Sequence, residues 1–358
     1  MARAAVFAGP GRPMEIVTFN PPEPGPGEIL VRVACCTLCR SDLHTHAGRR
    51  TEPTPTVLGH EVVGRIEAFG QPGVRSDADG RPAQVGDRVT WSVTTGCGTC
   101  FFCSADLPQK CERLIKFGHR PIPDGMPVTG GLSDYVLLIP GTVWFRVPDT
   151  IPDEVAAPAN CATATAAALL RHAGDVAGRA VLVLGAGVLG VTVAAMARAA
   201  GASTVLVADP VPALRERSRL FEATHPISSD PTVVAETVTA ATGGRGADVI
   251  VELAGTAAAV QTAFDSARIG GTILLAGTVA PTRAVPLDPE MVVRRLLTIR
   301  GVHNYHPRDL AAAISFLAGP GRDLPFDRLV VARYPLDDAE KAFAHAHTTP
   351  GFRIAVVP

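Results

Sequence analysis

Between residues 180 and 276 the sequence alternates apolar runs with alanine-rich stretches, and that alternation leaves few architectures open. Ala180-Val181-Leu182-Val183-Leu184, Thr204-Val205-Leu206-Val207-Ala208, Asp248-Val249-Ile250-Val251-Glu252 and Thr272-Ile273-Leu274-Leu275-Ala276 are too short for buried helices and too continuous for half-exposed strands. Strands of this kind separated by helices predict a parallel, doubly wound α/β sheet. Gly185-Ala186-Gly187-Val188-Leu189-Gly190 follows the first run and opens an alanine-rich stretch. A Gly-x-Gly-x-x-Gly between strand and helix lets a pyrophosphate approach backbone N–H groups at the positive end of a helix. Asp209 ends the next strand, 19 residues beyond Gly190. Its carboxylate accepts hydrogen bonds from ribose hydroxyls and repels a 2′-phosphate, which favours NAD over NADP, with Arg215 close by as a reservation.

Up to about residue 150 the texture differs. Ile29 to Val33, Glu61 to Gly70, Gly86 to Trp91 and Tyr135 to Ile139 are short β-rich runs broken by Gly and Pro, the pattern of a barrel of short strands. Gln71 to Gln84, rich in Asp, Gly, Pro and Arg, reads as a solvated loop. After residue 300 come a helix from Pro307 to Leu317, a strand near Leu329, a helix from Asp337 to His347 and a strand from Arg353 to Val357. The expected division is 156–299 for the dinucleotide-binding domain and 1–155 with 300–358 for the other. The 358 residues, 47% hydrophobic, suffice for a core in each.

Eight cysteines in a chain with no signal peptide or membrane-length run point to a reducing, cytoplasmic setting and to thiols or metal ligands rather than disulfides. Cys97, Cys100, Cys103 and Cys111 have two gaps of two residues and one of seven. Such spacing lets four thiolates converge on one structural zinc. Four unliganded thiols packed as small apolar groups are the plainer alternative. A nucleic-acid module is disfavoured by a net charge of −1, as is binding to an anionic membrane.

Cys39-Arg40-Ser41-Asp42-Leu43-His44 packs a soft ligand, a cation, a hydroxyl, a carboxylate and an imidazole into one short turn, costly to bury unless the groups satisfy one another or a metal. Other ligand candidates are His60 with Glu61, and Cys161 in Asn160-Cys161-Ala162-Thr163-Ala164-Thr165. Each alone is equally well a packing residue. Taken in order, the 39–44 turn, Gly59-His60-Glu61, the 97–111 cysteines, the 160–165 segment and the glycine fingerprint resemble the zinc-dependent alcohol dehydrogenases of the medium-chain dehydrogenase/reductase family, over essentially the whole chain.

That resemblance implies a GroES-like β-barrel catalytic domain beside a Rossmann domain, and two zinc ions per chain. It implies that Cys39, His60 and Cys161 hold the catalytic zinc, with Glu61 a carboxylate at the metal and Asp42 orienting His60. Ser41 and His44 become the proton path. Arg40 and Arg353 become pyrophosphate contacts, Thr165 meets the nicotinamide, and Gly277 and Thr278 hold its carboxamide. Cys35 and Cys36 fall outside the motifs and read as strand packing. The implied partners are a small alcohol or aldehyde and further copies of the chain, as a homodimer or homotetramer with cofactor-domain strands edge to edge.

Arg49 and Arg50 stand where related enzymes place apolar pocket residues, and Lys116, His119 and Arg120 follow the cysteine loop. Arg49, Arg50 and His119 are the expected substrate contacts, and cations there point to an anionic substrate, with solvated surface charge the plainer alternative for the arginines. Thr45 to Pro55 and Gly301 to Tyr305 are similar to alcohol dehydrogenases associated with phosphonate metabolism. Two rivals remain at this level: a zinc-independent quinone or enoyl reductase of the same superfamily, and a non-catalytic nucleotide-binding protein.

Overall fold

The structure, a computed structural model, describes residues 1–358 apart from Val74, Ala280 and Pro281 and the side chain of Asp124. It divides into two compact units, one of Met1–Cys161, His306–Ala318 and Phe326–Pro358, the other of Ala162–Tyr305 and Gly319–Pro325. The divisions therefore fall later in the chain than the expected 155 and 299. No helix among the described residues is long and apolar enough to cross a membrane.

The first unit is built on the strand Ile29–Thr37, which has neighbours on both edges. One edge pairs antiparallel with Glu61–Phe69, which carries Arg88–Trp91 and then Trp144–Arg146 beyond it. The other edge is shared: Ile29 to Arg32 pair with Tyr135–Leu138, whereas Cys36 and Thr37 pair with Arg353–Val357. Thr37 thus has Glu61 on one side and Ala355 on the other, so the chain's last strand runs beside residues 36 and 37. A smaller sheet orders Glu15–Phe19, Ala2–Phe7 and Thr56–Val57. Alternation along the strands turns Val31, Val62 and Ile66 inward to Phe7, Trp91, Phe117, Leu132 and Phe343, all buried in one core. Cys35 and Cys36 are buried in the central strand.

In the second unit six strands form one parallel sheet in the order His225–Ile227, Thr204–Ala208, Ala180–Leu184, Ala247–Glu252, Ala267–Leu275, Thr298–Gly301. Counted along the chain this order is three, two, one, four, five, six, and winding reverses between the first and fourth strands, where doubly wound sheets open a crevice for a dinucleotide. Asp230 caps Pro231–Ala241 through Thr232 N and Val233 N, and Thr256 caps Ala257–Ser266 through Ala259 N. Leu182, Leu206, Ile250 and Ile273 from the strands meet Val234 and Phe264 from these helices.

The segment from Gln71 to Gln84 is the expected solvated loop over most of its described residues, with Asp77 as its buried exception. Asp77 is 4% exposed, and its carboxylate accepts hydrogen bonds from Asp79 N, Arg81 N and Arg146 N at 2.9 to 3.2 Å. Polar composition concealed a loop folded around its own buried anion. Asp77→Ala leaves three backbone donors without that acceptor, and the expected cost is about 1–3 kcal/mol, measured by denaturant unfolding of the isolated variant against the parent.

Candidate functional site

The turn from Cys39 to His44 is held by one carboxylate. Cys39 is the N-cap of the helix Arg40–His46, and Asp42 reaches back so that Oδ2 accepts from Cys39 N at 2.9 Å. The other oxygen, Oδ1, lies 3.0 Å from His60 Nδ1 and accepts from Gly59 N at 3.4 Å. Gly59 has φ +91°, and a Cβ there would stand 2.5 Å from Cys36 Sγ, so only glycine leads the chain into His60 along this path. With Nδ1 turned to Asp42, His60 Nε2 points to Cys161 Sγ at 3.4 Å and to Ser41 Oγ at 3.3 Å. Cys39 Sγ and Cys161 Sγ are 3.9 Å apart.

The two sulfurs, a ring nitrogen of His60 and a Glu61 carboxylate oxygen all lie within 4.8 Å of one another. Two thiols and an imidazole whose remaining nitrogen is oriented by a carboxylate match the donor set of a zinc with an open position. The thiols respond oppositely to each other: Cys39 is held well below the usual thiol range by Cys161, with Arg353 and His60 assisting, and Cys161 is pushed up by Cys39 and by burial. Arg353 Nη2 is 3.6 Å from the Cys39 sulfur and favours its thiolate form. Burial opposes protonation of His60, yet Asp42 and Cys39 raise it to about 10, so the ring is a strong base toward a cation.

Glu61 is completely buried, and both of its oxygens are bound. Arg353 Nε donates to Oε2 at 2.7 Å and Nη2 to Oε1 at 2.8 Å, while Thr37 Oγ1 donates to Oε2 at 2.6 Å. Arg353 therefore acts in the structure as the counter-ion of Glu61 and Cys39, a different engagement from the expected pyrophosphate contact. Asn160, next to Cys161, is buried and joins Trp91 O to Val62 N. Thr37 and Asn160 were not singled out from the sequence. Their only signal was adjacency to a ligand.

His119 approaches His60 from the other side. Its Nε2 is 3.3 Å from His60 Nδ1, the rings are 5.0 Å apart, and Nδ1 lies 3.7 Å from Glu52 Oε1. Burial, then Lys116, keeps its imidazole well below the usual range and uncharged. The structure thus places His119 against the Asp42 face of His60. Arg50 is paired with Glu52 through Nη2, Arg49 is exposed, and Arg120 lies over the Phe117 ring at 5.7 Å. Of the expected cations, none presents an unpaired charge beside the ligands except Lys116.

In the cysteine lobe Cys97, Cys100, Cys103 and Cys111 also bring their sulfurs within 4.8 Å of one another, with Cys100 and Cys111 at 3.8 Å. Backbone donors aim at the sulfurs: Cys97 N and Arg113 N each lie 3.2 Å from Cys111 Sγ. The Thr99 backbone and the Arg113 guanidinium hold Cys97 down to about 5. Four sulfurs so arranged fit a closed tetrahedral zinc shell.

In the second unit a Cβ on Gly190 would stand 1.8 Å from Gly185 O, so the helix Val188–Ala199 can press on the strand end only with glycine there. A Cβ on Gly187 meets nothing within 4 Å, which leaves space where a pyrophosphate would approach. Asp209 caps the crevice, accepting from Ala186 N at 2.8 Å and Val211 N at 2.8 Å. Arg215 donates to the carbonyls of Asp209 and Pro210. Glu252 is buried, accepts from Gly255 N at 2.6 Å and faces Thr278 Oγ1 at 3.4 Å, fixing the loop that carries Gly277 and Thr278.

Residues 25–149 match the family description "Alcohol dehydrogenase GroES-like domain" and residues 188–319 match "Zinc-binding dehydrogenase". A probable zinc-binding alcohol dehydrogenase of Mycobacterium tuberculosis is 33% identical over 351 residues, 98% of this chain and 86% of that one. The chain belongs to the zinc-type alcohol dehydrogenases of the medium-chain dehydrogenase/reductase family. Among solved structures, an alcohol dehydrogenase from Thermotoga maritima is 27% identical with a TM-score of 0.93, covering 100% of this chain and 99% of that one. A zinc-binding dehydrogenase from Sinorhizobium meliloti bound to NADP is 27% identical with a TM-score of 0.86, again over 100% and 99%.

For a zinc-type alcohol dehydrogenase the two donor clusters make a direct prediction about metal. Elemental analysis is expected to find two zinc ions per chain. Cys103→Ser is expected to lose one of them and to lower thermal stability by at least about 2 kcal/mol, since a structural site contributes folding energy.

Proposed function

We propose that this alcohol dehydrogenase holds two zinc ions and uses NAD(H) to interconvert a small, anionic alcohol and its carbonyl product. The observation that carries the proposal is the convergence of Cys39 Sγ, His60 Nε2 and Cys161 Sγ with Ser41 Oγ beside them. Cys39, His60 and Cys161 would hold the catalytic zinc, Glu61 is the nearby carboxylate, and Cys97, Cys100, Cys103 and Cys111 would hold the structural one. When bound, the catalytic ion supplies Lewis acidity that brings an alcohol's pKa toward neutrality. The nicotinamide supplies the acceptor for the hydride.

The chain's own residues manage orientation and the proton. Ser41 Oγ takes the alcohol proton in oxidation and returns it in reduction. His44, three residues on and on the same helix face, receives it at the half-buried end of the path. Burial, then Arg40 and Arg49, lowers His44 from its ordinary 6.5. A lowered value keeps the imidazole neutral, and able to accept a proton, as pH falls through 6.5. Oxidation is therefore expected to hold its rate across that pH and to fall only below it. His44→Gln is expected to cut oxidation by about ten- to a hundredfold, with partial recovery in buffers of small amines, read from pH profiles of kcat.

On the cofactor side Gly185, Gly187, Val188, Leu189 and Gly190 would cradle the pyrophosphate, and Asp209 would take the ribose hydroxyls. The Asp209 carboxylate supports NAD; the NADP held by the Sinorhizobium meliloti relative keeps both cofactors in the test. Arg40, Thr165, Gly277 and Thr278 complete the proposed contacts, and Arg353 stays with Glu61 and Cys39. The outermost position of the strand Thr298–Gly301, with exposed Val293 and Leu296 before it, supports edge-to-edge pairing of copies in a homodimer or homotetramer.

The deciding experiment is a screen at the nicotinamide absorbance with matched neutral and anionic alcohols and their aldehydes, run with NAD and with NADP. Expected is turnover with NAD at least about tenfold better than with NADP, and the same margin for anionic over neutral alcohols. Turnover of none of them overturns the proposal.

A further inference from the structure

Lys116 lies in the short ribbon of Thr94–Thr95 and Ile115–Lys116, opposite Thr94. Its neighbour Phe117 turns into the core against Trp91, with ring centroids 6.0 Å apart, so the Lys116 side chain leaves by the other face. The segment is pressed on the metal-ligand cluster. A Cβ on Gly118 would stand 2.6 Å from Gly59 O, and His119 Nε2 lies 3.3 Å from His60 Nδ1. The charges acting on the Lys116 amine are those of Arg50, Cys161, Glu52 and Asp42.

None of these anions pairs with it. Glu52 is taken by Arg50, and Asp42 by Cys39 N, Gly59 N and His60. Among the described residues no carboxylate is in ion-pair distance of the Lys116 amine, and no acceptor takes a hydrogen bond from it. Burial, with Arg50 next, weakens its hold on the proton, the response of an ammonium short of counter-charge. A half-buried cation with no carboxylate beside it is poorly compensated, and an incoming anion would compensate it.

We propose that Lys116 binds an oxyanion on the substrate, a carboxylate or a phosphonate, and thereby sets the enzyme's preference among alcohols. Arg50, neutralised by Glu52, shapes the wall beside it without supplying net charge. The proposal rests on the reading of the site as an alcohol dehydrogenase centre, and deepens it by naming the group that selects substrate. Lysine suits the role as a compact point charge that accepts either oxyanion geometry.

The test compares zinc-loaded wild type, Lys116→Met, Lys116→Arg and Arg50→Met. The kinetic arm measures kcat/KM with NAD for 1-propanol, 3-hydroxypropanoate and 2-hydroxyethylphosphonate. The binding arm titrates NADH-loaded protein with acetate and methylphosphonate, so the oxyanion's source is distinguished and turnover is not required. Expected for Lys116→Met is a fall of about tenfold or more in the anionic-to-neutral ratio of kcat/KM, with a matching loss of probe affinity. Lys116→Arg, which keeps the charge, is expected to retain most of both, separating loss of charge from loss of fold. Equal losses for neutral and anionic alcohols in Lys116→Met, or unchanged probe affinity, overturn the proposal. A larger change of the ratio in Arg50→Met than in Lys116→Met also overturns it. Absence of turnover with every alcohol would sink the dehydrogenase reading, while the probe titrations would still decide on Lys116.

Discussion

The site depends on the Asp42 carboxylate. One oxygen fixes the backbone of Cys39 and the other fixes the His60 ring. Two candidate ligands 21 positions apart in sequence, 60 less 39, are thereby set by a single rigid group. The carboxylate is wholly buried and offers nothing to solvent, so all of its hydrogen-bonding capacity goes to positioning. Its removal would free Cys39 N, Gly59 N and His60 Nδ1 together, three losses that would not add independently because they share one acceptor.

Around that group a second pair works on charge. Arg353 is bidentate on Glu61 and reaches Cys39 Sγ, and Thr37 completes the set from the strand between them. A buried ion pair of this geometry contributes little net stability, but removing either partner leaves an uncompensated charge. Its effect is local: the guanidinium favours the anionic form of both thiols and donates directly to the Cys39 sulfur alone. The two thiols are therefore not equivalent, although their chemistry in the sequence is identical.

Much of this was legible in advance. Ala180–Leu184, Thr204–Ala208 and Arg353–Val357 were bounded correctly because buried strands are written as uninterrupted apolar runs. The edge strands His225–Ile227 and Thr298–Gly301 were not, since short and exposed strands carry too little apolar pattern. Clusters built from cysteine stood out because cysteine is rare. Glu52, Thr37 and Asn160 did not, because common residue types gain meaning only from what stands opposite them. The reading of charge was limited in the same way: Arg50 looked available until Glu52 was seen across from it, whereas Lys116, already noted among the cations after the cysteine loop, has no carboxylate partner among the described residues.

The placement of Arg353 has a consequence for how such a molecule comes into being. Cys39 and Arg353 are separated by 314 positions. At synthesis rates of about 5–20 residues per second, roughly 15 to 60 s pass between the emergence of the thiol and of the cation that stands beside it. Until then Cys39 and Glu61 lack their shared cation, and the full set of charges at the site exists only in the finished chain.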